Sequence, residues 1–234
     1  MFLAMDTVFD HCSIAILDSS GTLMSSQTQV GKRVQTQQIL PMIDAALQET
    51  QLKLADMQAL IFNRGPGAFS GIRINTAVVQ ALSVAHDLPC VGVSSLQAIA
   101  QLAYKNYGVT HVYSALDARM QQVYFGQYGL VGDIMQPVID GVDVDGKGDY
   151  GATEQLLDYD CPTVLDLAIA GNGATLLKHY AGQVCYEEIN PDAAIIGQLG
   201  IAQFQAVGGT DAALALPQYL RHQAWKTLKE QGRA

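Results

Sequence analysis

The residues of this chain best suited to chemistry are acids and glycines that follow predicted strands. Asp6 ends the first apolar run, and a turn rich in glycine and proline follows the apolar run 59–62. Backbone N–H groups of such a turn at a helix N-terminus can bind phosphate, and a carboxylate can orient a metal-bound phosphate. One hypothesis is therefore a nucleotide site faced by Asp6, Thr7, Gly65, Gly67, Gly171 and Gly173.

The spacing of the first glycine turn argues against that hypothesis. Gly65, Gly67 and Gly71 form G-x-G-x-x-x-G, one residue longer than the dinucleotide fingerprint, and no Gly-Lys-Ser/Thr triplet follows. The segment after Asp6 contains no glycine for close backbone approach. The alternative is a purely structural turn in which Ser70 caps the next helix. The turn at 171–173 has the same two interpretations.

Metal-binding and nucleophilic patterns are absent from the local sequence. No C-x-x-C, H-x-x-x-H or H-E-x-x-H pattern occurs. Asp117 and Arg119 either orient a substrate or form an ion-paired hairpin corner. We therefore predict no metal site and assign no catalytic residue.

Strands and helices must position these residues. The run 59–62, the glycine turn, helix 71–86 and strand 89–93 form a βαβ unit, whose strands are parallel, so the fold class is α/β. The first half of the chain predicts strands 2–5, 12–17 and 22–30, helix 34–50, strand 58–62, helix 71–86, strand 89–93 and a helix from Ser94. The second half predicts strands 109–116, 121–128 and 130–137, helix 153–159, strand 167–171, helix 173–180, strand 183–187 and a helix over 191–206, capped by Asn190.

The second half thus repeats the first in outline. We expect two domains, 1–107 and 108–234, each with a mixed sheet flanked by helices. The last helix is expected to pack back on the first domain.

Composition excludes several classes of protein. Apolar residues make up 49% and charged residues 15% of the 234 residues, which is typical of a globular protein. No apolar run approaches a membrane span, and the first residues do not resemble a signal peptide, so we expect a cytoplasmic protein that does not bind membranes. A net charge of −9 argues against tRNA binding by the isolated chain.

The stretch 65–73, Gly-Pro-Gly-Ala-Phe-Ser-Gly-Ile-Arg, together with Asp6-Thr7 and 91–96, resembles the TsaB (YeaZ) family of bacterial tRNA threonylcarbamoyladenosine biosynthesis proteins. Further similar stretches are 39–43, 117–119 followed by 123–124, 171–174 and 217–221. The resemblance implies two tandem actin-like/Hsp70-like (ASKHA, RNase H-like) domains. It also implies a role in installing threonylcarbamoyl on adenosine 37 of tRNAs that read codons beginning with A.

Within that family the resemblance implies a partner rather than a catalyst. The catalytic paralogue, TsaD, carries metal-binding histidines where this chain has Gln-Thr-Gln-Gln at 35–38. The implied partners are a TsaD-type transferase, a TsaE-type ATPase and a second copy of the chain, with tRNA bound only through the complex. No cofactor is expected to bind tightly, although ATP or ADP could bind at an interface shared with the partner. Val8-Phe9 and Asn75 depart from the family pattern and weaken a nucleotide site in this chain alone.

Helix 71–86 is apolar over most of its circumference, with a polar stripe predicted at Arg73, Thr76, Gln80 and Ser83. Such a helix is covered on two sides. We predict that one side faces the sheet and that the other joins helix 34–50 in a four-helix bundle with a partner. The predicted interface comprises Gln38, Ile39, Met42, Ala46, Arg73, Ala77, Gln80 and Val84.

Two enzymatic alternatives remain at this stage. A stand-alone nucleotide-dependent phosphotransferase of the actin and sugar-kinase superfamily would use Asp6 for metal-bound phosphate and Asp117 as a base. It lacks a glycine-rich phosphate hairpin. A metalloprotease lacks the ligands for its metal.

Overall fold

Two mixed β-sheets, one from each half of the chain, organise the fold. The computed structural model describes residues 1–31, 34–138, 153–162, 165–178 and 183–221. The first sheet has the strand order β3-β2-β1-β4-β5, in which β1, β2 and β3 are antiparallel and β1, β4 and β5 are parallel. Its strands are β1 (Phe2–Asp6), β2 (His11–Leu17), β3 (Leu23–Val30), β4 (Ala59–Gly65) and β5 (Cys90–Ser94).

The second sheet repeats this topology. Its order is β11-β10-β6-β7-β8, with β6, β7 and β8 antiparallel and β6, β10 and β11 parallel, while β9 pairs with the other end of β7. The strands are β6 (His111–Arg119), β7 (Gln122–Val131), β8 (Ile134–Pro137), β9 (Gln155–Asp158), β10 (Ala168–Ala170) and β11 (Cys185–Tyr186). Two such sheets in tandem form an actin-like fold.

Two of the four long helices pack mainly on the sheet formed by the other half of the chain. They are α1 (Val34–Thr50), α2 (Phe69–His86), α3 (Ser95–Tyr107) and α4 (Ala193–Val207). Helices α1 and α2 pack on one face of the first sheet, and α4 packs on its other face. Helix α3 packs mainly on the second sheet. A boundary at residue 107 therefore separates the strands of the two sheets but not their helices.

Two glycines let α4 lie close to the first sheet. A Cβ at Gly197 would stand 2.3 Å from Leu17 Cδ1, and one at Gly200 would stand 2.2 Å from Ile61 Cγ2. The space that side chains would need is filled by the sheet.

Within the described residues no helix is both long and apolar enough to cross a bilayer.

Four local predictions were wrong. Residues 155–158 form β9 rather than a helix, because their backbone groups pair with β7. In place of helix 173–180 the described residues have only a 3₁₀ turn, Ala174–Leu176, and 179–180 lie outside the described residues. Helix α4 is capped by Asp192, whose side chain accepts from two N–H groups, rather than by Asn190. Helix α2 begins at Phe69, so its second residue, Ser70, does not cap it.

The polar residues of α2 do not all lie on one side of the helix, since Arg73 is exposed and Gln80 is half-buried. Thr76 and Ser83 are buried, whereas Ala81 and Ala85 are exposed. Ser83 tolerates burial because its Oγ donates a 2.5 Å hydrogen bond to the carbonyl of Leu88. Apolar periodicity does not detect such a bond, so it did not indicate that Ser83 could be buried.

Candidate functional site

An open cleft lies between the two halves of the molecule. It has a volume of about 350 Å³ and is formed by the β1–β2 loop, the start of α2 and the β6–β7 hairpin. Its lining residues are Val8, Phe9, Asp10, Gly67, Ala68, Phe69, Leu116, Asp117, Ala118, Arg119, Tyr124 and Asn172. Acids, aromatic rings and one arginine therefore face the same space.

Asp6 is buried beneath this cleft. Its Oδ1 accepts a 2.7 Å hydrogen bond from the N–H of Val8, and its Oδ2 accepts a 3.1 Å bond from Nδ2 of Asn63. His11 Nε2 lies 3.7 Å from the same Oδ2. Burial alone would lower the pKa of His11, but the contact with Asp6 and the charges of three nearby carboxylates raise it overall. The carboxylate of Asp6 is thus engaged by the chain itself.

The glycines at the start of α2 also face the chain's own atoms. A Cβ at Gly67 would stand 2.3 Å from Val8 Cγ1, and one at Gly71 would stand 2.0 Å from the carbonyl oxygen of Thr7. The N–H of Ala68 donates to the carbonyl of Val8 at 3.2 Å. The side of Gly67 and Gly71 on which a Cβ would stand is therefore filled by the β1–β2 loop.

The other predicted glycines have similar surroundings. Gly65 has a φ of +96°, and a Cβ there would stand 2.8 Å from Ile72 Cδ1. Gly171 has a φ of +101°, and a Cβ there would stand 2.4 Å from the carbonyl oxygen of Ala115. The N–H of Gly173 donates to that same carbonyl at 3.0 Å. These glycines satisfy backbone geometry and close packing.

Asp117 and Arg119 form the ion-paired hairpin corner. Arg119 Nη1 lies 2.8 Å from Asp117 Oδ2, and the turn places Arg119, Met120 and Gln121 in the left-handed region with φ values of 61°, 55° and 60°. Arg221 secures this turn by donating to the carbonyl of Ala118 at 3.1 Å. Asp117 is therefore largely buried in this corner, whereas the side chain of Arg119 is 86% exposed.

A buried cluster around Glu154 was not predicted from the sequence. Its Oε1 accepts hydrogen bonds from the Oγ of Ser94 and, at 2.5 Å, from the hydroxyl of Tyr128. Within the described residues its Oε2 has no partner, and neither do Arg64 Nε and Gln218 Oε1. Burial raises the pKa of Glu154. Hydrogen bonding by Ser94 and Tyr128, the positive charge of Arg64 and hydrogen bonding by the neutral Gln218 side chain oppose this increase.

This raised pKa predicts a specific pH dependence. A carboxyl whose folded-state pKa exceeds its unfolded-state value contributes stability that is fully present below the unfolded pKa, about 4.3, and is lost as pH rises through the folded pKa. We expect Glu154→Gln to lack this loss and to be at least as stable as the wild type at pH 7. Chemical denaturation across the acidic range measures the effect.

A matched variant separates charge from hydrogen bonding at this site. Glu154→Leu leaves the hydroxyls of Ser94 and Tyr128 without an acceptor, so we expect its free energy of unfolding to lie about 1–3 kcal/mol below that of Glu154→Gln at all pH values. Parallel pH profiles for the wild type and Glu154→Gln would refute the role of this carboxyl.

The predicted interface residues on α1 are placed differently from expectation. Ile39, Met42 and Ala46 are buried in the core against the first sheet, and Gln38 is half-buried. The apolar spacing on α1 therefore indicates the face that packs on the first sheet, not the face that a partner could contact. The exposed positions of α1 are Thr36, Gln37, Leu40, Pro41, Asp44, Ala45, Gln48 and Glu49.

The predicted positions on α2 do lie on its outer side. Arg73, Ala77 and Val84 are exposed. Gln80 is half-buried because its Nε2 donates to the carbonyls of Ala212 and Ala215 at 3.2 and 3.1 Å. A segment from the C-terminal part of the chain thus covers part of the stripe.

Metal-binding and reactive groups are not assembled in the part of the chain that the structure describes. No group of three or more His, Cys, Asp or Glu residues is placed to hold a metal there. Gln35, at the start of α1, is buried and donates from Nε2 to the carbonyl of Phe9 at 3.2 Å. Burial, with a smaller effect of Asp6, raises the pKa of the Cys12 thiol to about 11, which opposes thiolate chemistry.

Comparison with known proteins identifies relatives along most of the chain. The family model described as "TsaD: tRNA N6-adenosine threonylcarbamoyltransferase" matches residues 26–229. The solved structure of YeaZ from Pseudomonas aeruginosa has a TM-score of 0.81 and 32% identity, covering 94% of this chain and 99% of that one. A second structure, described as similar to peptidase YeaZ from the same organism, has a TM-score of 0.82 with the same identity and coverage.

Curated relatives match over a shorter region. The tRNA threonylcarbamoyladenosine biosynthesis protein TsaB of Escherichia coli is 40% identical over 126 residues, which are 54% of each chain. The Haemophilus influenzae protein of the same name is 40% identical over 125 residues, covering 53% of this chain and 52% of that one. The chain spans about half the length of the curated relatives it matches.

Proposed function

Since the chain belongs to the TsaD threonylcarbamoyltransferase family, and within it to the TsaB (YeaZ) group, we propose that it is a non-catalytic subunit of the assembly that makes N6-threonylcarbamoyladenosine at position 37 of tRNA. In this role it binds and activates a TsaD-type transferase, together with a TsaE-type ATPase. Transfer RNA binds through the assembly, and the complex acts in the cytoplasm.

The observation that carries this proposal is the outer face of α2. Ala77, Ala81 and Val84 lie exposed along it, at the spacing of one helical stripe. Small side chains permit a facing helix to approach closely, and a valine that is 76% exposed gains from being covered. Such a face suits a helical partner, either the paralogue or a second copy.

The cleft supports a non-catalytic role. The space beside Gly67 and Gly71 is filled by Val8 and Thr7, and each carboxylate oxygen of Asp6 accepts a hydrogen bond, from the N–H of Val8 and from Asn63. ATP or ADP would then bind only where a partner completes the site. A stand-alone phosphotransferase is the less favoured function, because it would need the cleft to admit phosphate beside these residues.

Mixing the purified chain with the TsaD-type paralogue of the same organism tests the proposal. Size exclusion with light scattering should show a stoichiometric complex. Threonylcarbamoyl transfer to tRNA should require both proteins, with no activity from this chain alone. Transfer by the chain alone, or the absence of any complex, would refute the proposed role.

A further inference from the structure

A ridge formed by residues 210–221 lies beside α2 and presents apolar side chains to solvent. We call this segment the C-terminal ridge. Leu214 is 65% exposed, Leu216 58% and Tyr219 40%, and the neighbouring Phe69 at the start of α2 is 48% exposed. Single exposed apolar residues are ordinary, but several on one short segment beside a helix indicate an interaction surface.

The ridge is fixed to the first sheet along its length. Thr210 exchanges two backbone hydrogen bonds with Cys90, at 2.8 and 2.9 Å, and the N–H of Gln218 donates to the carbonyl of Arg64 at 2.8 Å. Ala215 is buried in the core beneath it. Gln80 of α2 holds the intervening carbonyls. Its apolar side chains are therefore displayed on a backbone that is already ordered, which reduces the entropy cost of binding.

Arg73 of α2 connects this helix to the ridge. Its guanidinium lies over the ring of Phe69, 3.7 Å from the ring centre, and its Nε donates to the hydroxyl of Tyr219 at 3.1 Å. The two terminal amino groups make no hydrogen bond within the described residues. An arginine held by stacking and by one bond offers these amino groups to a carboxylate in bidentate geometry.

We propose that the C-terminal ridge, with Phe69 and Arg73, is a docking surface for the TsaD-type partner, which would supply an apolar groove for Leu214 and Leu216 and a carboxylate for Arg73. This inference rests on the proposed function. The surface is continuous with the exposed stripe of α2 through Arg73, so one partner can cover both. The net charge of −9 disfavours RNA or an anionic membrane as the occupant.

The test compares the affinity of the partner for ridge variants by calorimetry. We expect Leu216→Ser to weaken binding at least about tenfold, as loss of a buried apolar anchor does. Arg73→Gln should weaken binding and also reduce its dependence on salt, because a charge pair is removed. Arg73→Lys should not restore full affinity, since an ammonium lacks the planar fork.

The matched control is Leu23→Ser on β3, at the opposite edge of the first sheet, where Leu23 is 46% exposed. It should bind the partner like the wild type. If Leu216→Ser binds as tightly as Leu23→Ser, the ridge is not part of the interface and the inference fails while the proposed function stands. If Leu216→Ser disrupts only self-association, the occupant is a second copy and the inference is also wrong. If the wild type binds no partner, the proposed function itself fails.

Discussion

Replacing Gly71 by alanine should lower the free energy of unfolding by about 3 kcal/mol or more, even though alanine is the better helix former by about 1 kcal/mol. A Cβ at this position would stand 2.0 Å from the carbonyl oxygen of Thr7 and 3.2 Å from the Cα of Val8. These are backbone atoms, so a side-chain rotation cannot relieve the clash. Moving the β1–β2 loop away would also break the 2.7 Å hydrogen bond from Thr7 Oγ1 to the Gly71 carbonyl.

Thermal and urea denaturation of the variant measure this effect. For a chain of this size we expect a fall in Tm of roughly 6–12 °C. Gly108→Ala is the matched control, because Gly108 ends α3 with a φ of +71° and a Cβ there would meet nothing within 4 Å. It should cost only about 1 kcal/mol, the penalty of the left-handed backbone. Equal losses for the two variants would show that the contact with Thr7 does not limit this position.

Gly71 also shows what the sequence could predict. The turn, the following helix and the strands on either side were placed correctly within a few residues, because apolar runs and glycine punctuation are local signals. The contact that requires glycine comes from Thr7, 64 residues away in the chain. The sequence therefore left a phosphate turn and a structural turn as alternatives, and the structure has a tightly packed loop at this position.

Buried polar groups explain the other differences from prediction. Asn75 was noted only as a departure from the family pattern, yet its Nδ2 donates to the carbonyls of Met5 at 3.2 Å and Asn63 at 2.9 Å. Glu154 lay in a predicted helix and instead joins Ser94 to Tyr128 across the two sheets. Such residues read as surface in a hydrophobicity pattern, because only the folded chain supplies their partners.

The packing of α3 on the second sheet could not be predicted from the first half alone, whereas the last helix was expected to pack back on the first domain. Helix α3 follows a strand of the first half, so local reasoning assigns it to the first sheet. The fit of Gly197 and Gly200 against Leu17 and Ile61 selects the first sheet for α4. The same fit explains why α4 has glycines on the face that meets the sheet, despite their cost in a helix.

Ala77→Arg should weaken binding of the paralogue at least about 100-fold while leaving the monomer folded. Ala77 is exposed midway along α2. An arginine there remains solvated in the free chain, so its stability should change by no more than about 0.5 kcal/mol. In the complex the guanidinium would be buried against a facing helix without a partner, which disfavours binding strongly. The burial of Ala46 in the core removes the second half of the predicted small-residue contact, whereas Leu40 and Ala45 of α1 are exposed.

Size exclusion with light scattering, together with a thermal melt, measures both parts of this prediction. Ala206→Arg is the matched control, because Ala206 is exposed near the end of α4, which packs on the opposite face of the first sheet. The control should bind the paralogue normally and show the same Tm as Ala77→Arg. Loss of self-association together with loss of the paralogue would show that both partners use one face of α2. An Ala77→Arg variant that elutes with the paralogue at wild-type affinity would instead exclude this stripe from the interface, because an unpaired guanidinium cannot be buried at a helix contact without a large loss of affinity.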